Sequence, residues 1–180
     1  LAVSDWGEGW VGVGKGRLFK IRHPQTFASA GAAETAAHLA GDFRALTEVR
    51  LVELLGHADR RVRQEAQFEL VRRYPTEAAN ALFRTALDPK APRFARLHAI
   101  WGLEQCFRAQ SQALNQIASL LQDADAEVRA QTARVLGDSR CVDAESALAL
   151  AVTDVSPRVS YFALMALAKV HPAHTPSVAA

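Results

Sequence analysis

Residues 54–70 read LLGHADRRVRQEAQFEL, and residues 120–136 restate the pattern as LLQDADAEVRAQTARVL. Leu54–Leu55, a short polar break, then Asp59, Val62, Arg63, Ala66 and Leu70 fill the first copy. Leu120–Leu121, Asp125, Val128, Arg129, Thr132 and Leu136 fill the same slots in the second. A degenerate copy runs through Leu87, Ala95, Arg96, Ala99 and Leu103, and a fourth through Ala151, Val159, Ala163 and Leu167. From Val62 to Ala95, Val128 and Val159 the steps are 33, 33 and 31 residues. A fixed period in the range of about 20–50 residues marks stacked supersecondary units.

Val62, Ala66 and Leu70 are spaced i, i+4, i+8, so they share one helical face that a partner helix covers. Leu54, Leu87, Leu120 and Ala151 recur with the same steps in the preceding helix. One pair cannot bury both of its faces, so neighbouring pairs must stack. The pattern predicts helix pairs at 47–57 and 60–73, 76–87 and 91–108, 111–122 and 125–138, and 142–153 and 156–170. Pro75, Pro89, Pro92 and Pro157 fall at helix starts or breaks, where a missing N–H costs least. Residues 47–175 are therefore expected to be all-α, an array that binds and positions partners more often than it does chemistry.

The head of the chain differs. LAVSDWGEGWVGVGKGRLFKI, residues 1–21, holds five of the ten glycines in one short loop. Leu1–Val3 and Arg17–Ile21 read as strands joined by that loop. Two strands alone are marginal in water and need a larger sheet. Residues 22–46 read as a connector: His23–Pro24 stops the strand, and alanine-rich 32–40 forms a short helix ended by Gly41.

Twenty-one Lys plus Arg against nineteen Asp plus Glu leaves a net charge of +2 over 180 residues. Arg60, Arg61, Arg63, Arg72 and Arg73 are interleaved with Asp59, Glu65 and Glu69, unlike the clustered basic face of nucleic-acid binders. No nucleic-acid partner is expected. No apolar run approaches the roughly 20 residues that span a bilayer. Cys106 and Cys141 form no CxxC or CxxCH pattern and read as free core thiols.

GWVGVGKG, residues 9–16, approaches the phosphate loop GxxxxGK[ST], but Gly16 stands where the magnesium-binding hydroxyl belongs. It also leads into RLFKI, a strand pattern, instead of a helix N-terminus. His171 and His174 straddle Pro172, a poor arrangement for one metal. No catalytic motif, metal site or cofactor site is expected in these residues.

Two sets of positions stand out. Asp59/Arg63 and Asp125/Arg129 lie four apart at the start of a second helix, with Arg96 in the equivalent arginine slot. The aspartates can cap the helix, and the arginines can reach a carboxylate or carbonyl of a neighbouring unit. This reads as a ladder holding the units in register, and alternatively as a groove for an anionic partner. Opposite the buried stripe, positions 64, 97, 130 and 161 read Gln, Leu, Ala, Tyr, and positions 67, 100, 133 and 164 read Gln, Ile, Ala, Leu. Leu97, Ile100, Tyr161 and Leu164 are too apolar for a solvated face. They are either packing between units or a docking face for another domain or protein.

The helical part resembles HEAT repeats of the short bacterial type, with residues 54–70 the best copy and 120–136 the second. The head, VSDWGEGWVGVGKGRLFKI, followed by the connector and LLGHADRRVRQEAQFELVRR, is similar to a junction in large bacterial proteins of the membrane-bound dehydrogenase type. There a β-propeller similar to quinoprotein sugar dehydrogenases ends in such a strand pair. HEAT repeats follow, and often a c-type cytochrome domain. The resemblance implies a right-handed α-solenoid of HEAT-like pairs preceded by the last strands of a propeller. It also implies an extracytoplasmic or periplasmic setting. No catalytic residue of that family can be placed in this chain.

The expected function is a protein-interaction and spacer scaffold within a larger redox protein. The alternatives are a self-standing HEAT adaptor and, from a different class, a HEAT-repeat lyase or glycosylase. Such an enzyme would need a concentrated polar pocket, which the sequence does not display. HPAHTPSVAA after Val170 offers no polar capping helix, so the array is expected to continue.

Overall fold

The computed structural model describes residues 2–5, 17–21 and 23–171, and these divide into two compact units, Leu1–Gly41 and Asp42–Ala180. The glycine-rich loop 9–16 and His174 lie outside the described residues.

In the first unit, β1 (Ala2–Asp5) pairs antiparallel with β2 (Arg17–Lys20), placing Val3 opposite Phe19. Both side chains are exposed. Pro24 does more than stop the strand: it opens a short helix, α1 (Pro24–Phe27), capped by His23. The alanine-rich helix α2 (Ala30–Ala40) starts at Ser29, whose hydroxyl accepts from the Ala32 amide at 3.2 Å, and ends at Gly41. The expected connector 22–46 is thus divided. Its first part belongs with the strands, and Phe43–Ala45 belongs to the second unit. There Arg73 donates to the carbonyls of Arg44 and Leu46 at 2.7 and 2.6 Å, tying that 3-10 turn to the end of the helix Arg60–Arg73.

The second unit is almost wholly helical: α3 (Glu48–Leu54), α4 (Arg60–Arg73), α5 (Pro75–Leu87), α6 (Arg93–Cys106), a 3-10 segment Ser111–Gln122, α7 (Ala126–Asp138), a 3-10 turn Val142–Ala144, α8 (Glu145–Ala151) and α9 (Pro157–Val170). Local chemistry sets these bounds. Asp59 and Asp125 cap α4 and α7, accepting from the amides of Arg61 and Glu127, each at 2.8 Å. Pro75 and Pro157 stand in the first turns of α5 and α9.

Each first element packs on its second helix: α3 on α4, α5 on α6, Ser111–Gln122 on α7, and α8 on α9. The second helices also pack in series, α4 on α6, α6 on α7 and α7 on α9. The first elements do the same, α3 on α5, α5 on Ser111–Gln122, and that segment on α8. The result is two layers with one apolar core between them. Leu51, Leu55, Leu70, Leu82, Ile100, Leu103, Leu114, Ile117, Leu136 and Leu148 are fully buried in it. Each such side chain contributes about 1.5–3 kcal/mol.

Two expectations change. Residues 111–122 form a 3-10 segment in place of an α-helix. Leu114, Ile117 and Leu120 are buried at every third position, and three residues per turn align them on one face. Leu87 lies 41 % exposed, unlike Leu54, Leu120 and Ala151. In α5 the buried face is Ala78, Leu82 and Ala86, so the degenerate copy is displaced by one residue.

Gly137 permits the close approach of α7 and α9. A Cβ there would meet both Cα and Cβ of Ala166 at 2.5 Å.

Candidate binding groove

The arginines at the repeating slot do three different things. Arg129 is 25 residues from Asp154 and bridges it with two bonds, at 2.7 and 2.9 Å, while Nη1 donates to the Asp123 carbonyl at 2.7 Å. Arg96 grips the Asp123 carboxylate with Nη1 and Nη2, the former at 3.2 Å, and donates from Nε to the Ala86 carbonyl at 3.0 Å. Asp123 and Asp154 each also accept from a backbone amide two residues on, which shapes the turn before the next helix. One carboxylate thus sets the turn and fixes the preceding unit. Arg129 and the Ser156 amide hold Asp154 below the usual carboxylate range. Burial works to raise Asp123, but Arg96 and the Asp125 amide outweigh it and hold it low.

Arg63 makes only half of this arrangement. Its Nη1 donates to the carbonyls of His57 and Ala58 at 2.7 and 2.8 Å, as Arg129 does to residues 123 and 124. Among the described residues, no carboxylate of the next unit meets it. The turn aspartate there is Asp88, which accepts from the Lys90 amide at 2.9 Å but lies four residues before the Pro92 cap, twice the offset of Asp123 from Asp125. Phe94 instead stacks on the face of the guanidinium, whose carbon lies 4.3 Å from its ring centroid, and leaves the in-plane carboxylate position unfilled. Arg63 is 6 % exposed, and its Nε has no hydrogen-bond partner among the described residues.

A groove of about 980 Å³ opens at this spot over α4, α6 and α7. Arg60, Arg63, Gln64, Gln67 and Phe68 of α4 form one wall. Phe94, Leu97, His98, Trp101 and Glu104 of α6 form the floor, with Arg93 and Gln105 at its ends. Glu127 and Arg134 of α7 close the far side.

Polar side chains inside the groove are joined across helices. His98 Nδ1 lies 2.7 Å from Gln67 Oε1, so the imidazole proton sits on Nδ1, the amide oxygen being an acceptor only. Burial, reinforced by Arg63, lowers the His98 pKa to about 4, which keeps the ring neutral near pH 7. The Trp101 indole donates to Gln131 Oε1 at 3.0 Å, and Gln131 donates to Glu127 at 2.8 Å. Arg158 of α9 pairs with Glu127 at 2.8 Å and holds that carboxyl low. Burial, with the Asp138 charge, pushes the Glu104 carboxyl up.

The positions expected to face a partner separate sharply. Leu97 and Ile100 are 4 % and 0 % exposed, and the equivalent Ala130 and Ala133 are fully buried. They pack between successive second helices, so Ile100 offers no open docking face and Leu97 only an edge on the groove floor. Tyr161 and Leu164, on α9, are 58 % and 59 % exposed. The same line is open there because no described helix follows α9. Cys106 and Cys141 are both free thiols, pushed up by burial.

A groove for an anionic partner is the alternative to a ladder at the Arg63 slot, but this groove's lining could not be read from the sequence, because its cross-helix partners do not follow the repeat. Gln67 to His98 spans 31 residues and Trp101 to Gln131 spans 30, against a period of 33. The legible signal was the mismatch at one slot: Phe94 where Glu127 and Arg158 stand in later units. No protein-family model matches the chain, and no curated protein shows significant similarity to it. Among the described residues, no helix is long and apolar enough to cross a membrane.

Proposed function

We propose that this chain is a protein-interaction and spacer scaffold, a right-handed α-solenoid of HEAT-like pairs, and that it serves a larger multidomain redox protein. The observation that carries the scaffold reading is the serial packing of α4, α6, α7 and α9, with Arg96–Asp123 and Arg129–Asp154 fixing successive junctions. Two-sided stacking with buried charged links gives a stiff element that holds flanking partners at set geometry. Exposed apolar Val3 and Phe19 on paired strands form a sheet face left uncovered, which a larger β-structure would bury, in keeping with a propeller terminus. Tyr161, Leu164 and Met165 give α9 an apolar face suited to a further domain.

Sequencing the coding region on both sides tests the redox setting. A propeller-length strand-rich segment upstream and a CxxCH motif downstream support it, with a periplasmic or extracytoplasmic location. A start codon just before Leu1 and a stop after Ala180 contradict it and leave a self-standing adaptor.

The groove gives the lyase or glycosylase reading one supporting feature, the raised Glu104 carboxyl beside Trp101. Acid–base work needs a hydrogen-bonded partner in position. Among the described residues, Glu104 has none, and the neutral His98 is committed to Gln67. Binding is therefore the reading the geometry supports best.

A further inference from the structure

We propose that the groove over α4, α6 and α7 receives an extended acidic peptide segment of a partner protein or domain, one of whose carboxylates occupies the place against Arg63 that Asp123 and Asp154 fill in the later units. The proposal rests on the interaction-scaffold reading and names its site and occupant.

Three observations converge on it. The first is the vacancy. Arg96 and Arg129 each hold a carboxylate, while Arg63, as buried as Arg96, holds only two carbonyls and an aromatic face. A buried guanidinium without a counter-charge is costly, and an incoming carboxylate removes that cost through a charge-assisted bond.

The second is the charge of the walls. Arg60, Arg63, Arg93 and Arg134 line the groove, against Glu104 and Glu127. Glu127 is already neutralised by Arg158 at 2.8 Å. Arg134 pairs with Asp138 at 3.3 Å, Arg93 has only a long ion pair with Asp125 at 3.8 Å, and Arg60 has no ion pair among the described residues. Excess positive charge is therefore concentrated at the Arg60–Arg63–Arg93 end.

The third is shape and lining. Phe68, Phe94 and Trp101 offer aromatic surface beside the amides of Gln64 and Gln105, a mixture suited to main chain and side chains together. Three helices at about 8–10 Å spacing make a trough about 20 Å across. At about 3.3–3.6 Å per residue, that accommodates roughly six residues of extended chain. Arg60, Arg63 and Arg93 at one end suit one or two carboxylates and are too few for the run of phosphate contacts a nucleic-acid strand needs, which favours a peptide.

The test is fluorescence anisotropy of the purified full chain with labelled hexapeptides: an Asp/Glu-rich one carrying a central Phe, its Lys-substituted counterpart, and a 12-nucleotide single strand. The acidic peptide is expected to bind, at least tenfold more tightly than the basic one, and to weaken as salt rises. Arg60→Glu and Arg93→Glu, both at exposed positions, are expected to lower its affinity tenfold or more without loss of helicity. Phe94→Glu, also exposed, supplies the missing carboxylate within the chain and is expected to abolish binding while raising the melting temperature. Equal binding of acidic and basic peptides, unchanged affinity in the Arg60 and Arg93 variants, or tighter binding of the oligonucleotide would each overturn the proposal. Those failures concern the occupant alone; the scaffold reading fails separately, if no segment outside these repeats contacts them in the intact protein.

Discussion

The Arg63 guanidinium rests 4.3 Å from the centre of the Phe94 ring and holds no carboxylate among the described residues, whereas Arg96 and Arg129 each hold an aspartate. The three arginines descend from one repeated slot, yet only two of them complete an inter-unit ion pair. The difference comes from the turn between α5 and α6, which carries its aspartate too far from the helix start to reach back.

That difference should be measurable as stability. Arg96→Met or Arg129→Met leaves Asp123 or Asp154 without its counter-charge in a largely buried setting. Each is expected to cost about 3–5 kcal/mol. Arg63→Met strands no carboxylate and gives up two bonds to carbonyls, so the expected cost is nearer 1–2 kcal/mol. Urea denaturation of the three variants checks the order. An Arg63→Met variant as damaged as the other two would contradict it.

Gly137 and Gly102 look alike in sequence, since each interrupts a second helix where alanine would ordinarily gain about 1 kcal/mol. Their surroundings differ. A Cβ at 137 meets the backbone of Ala166 at 2.5 Å, whereas one at 102 meets the tip of the Leu82 side chain at 2.9 Å. Gly137→Ala is expected to lower stability by about 2–3 kcal/mol by prising α7 from α9, with Gly102→Ala costing clearly less. Thermal melts of the two variants decide this, and equal melting temperatures would contradict it.

The repeat period, the helix caps at Asp59 and Asp125 and the division into helix pairs could all be read from the chain, because they depend on residues close in sequence. Ladder partners could be read only in part. Arg96 and Arg129 advertise a charge to be satisfied, but the failure at Arg63 depends on where one turn places Asp88. Burial of Leu97 and Ile100 was the bland alternative, and it holds because the next second helix covers that line. The 3-10 segment was hidden because Leu120–Leu121 also fits an α-helical stripe. Polar satisfaction across helices, as in His98–Gln67, follows the packing geometry of the layers and not the period of the sequence.

His98 links stability to pH. Its pKa is lowered from 6.5 to about 4, so on acidification the unfolded chain takes up a proton before the folded one does. The contribution is fully present above about pH 6.5 and is lost as pH falls toward 4. The two values imply about 3 kcal/mol. Glu104, whose carboxyl is raised, acts in the opposite sense, losing stability as pH rises from its unfolded value. The clean measurement is the difference between wild type and His98→Gln across pH 4–7. That difference should shrink on acidification; a constant difference would rule out a buried neutral His98.

Arg140 holds φ at 52° immediately after α7, in the left-handed region, and its side chain is exposed. The Cys141 amide returns to the Leu136 carbonyl at 2.9 Å, closing the helix end. Arg140→Gly is expected to raise stability by about 0.5–1 kcal/mol, because glycine adopts this conformation without steric cost. A lower chemical-denaturation midpoint for the variant would contradict the reading of this cap.

The most direct measurement is site-specific photo-crosslinking in the intact protein. A benzoyl-phenylalanine replaces Phe68, on the groove wall, and in a control replaces Leu150, exposed on α8 in the opposite layer. The expected result is a mass-mapped crosslink from position 68 to an acidic segment outside the helical repeats, absent from position 150. Crosslinks from position 68 confined to α4, α6 and α7, or matched equally by position 150, would contradict the assignment of this groove as the partner-binding face.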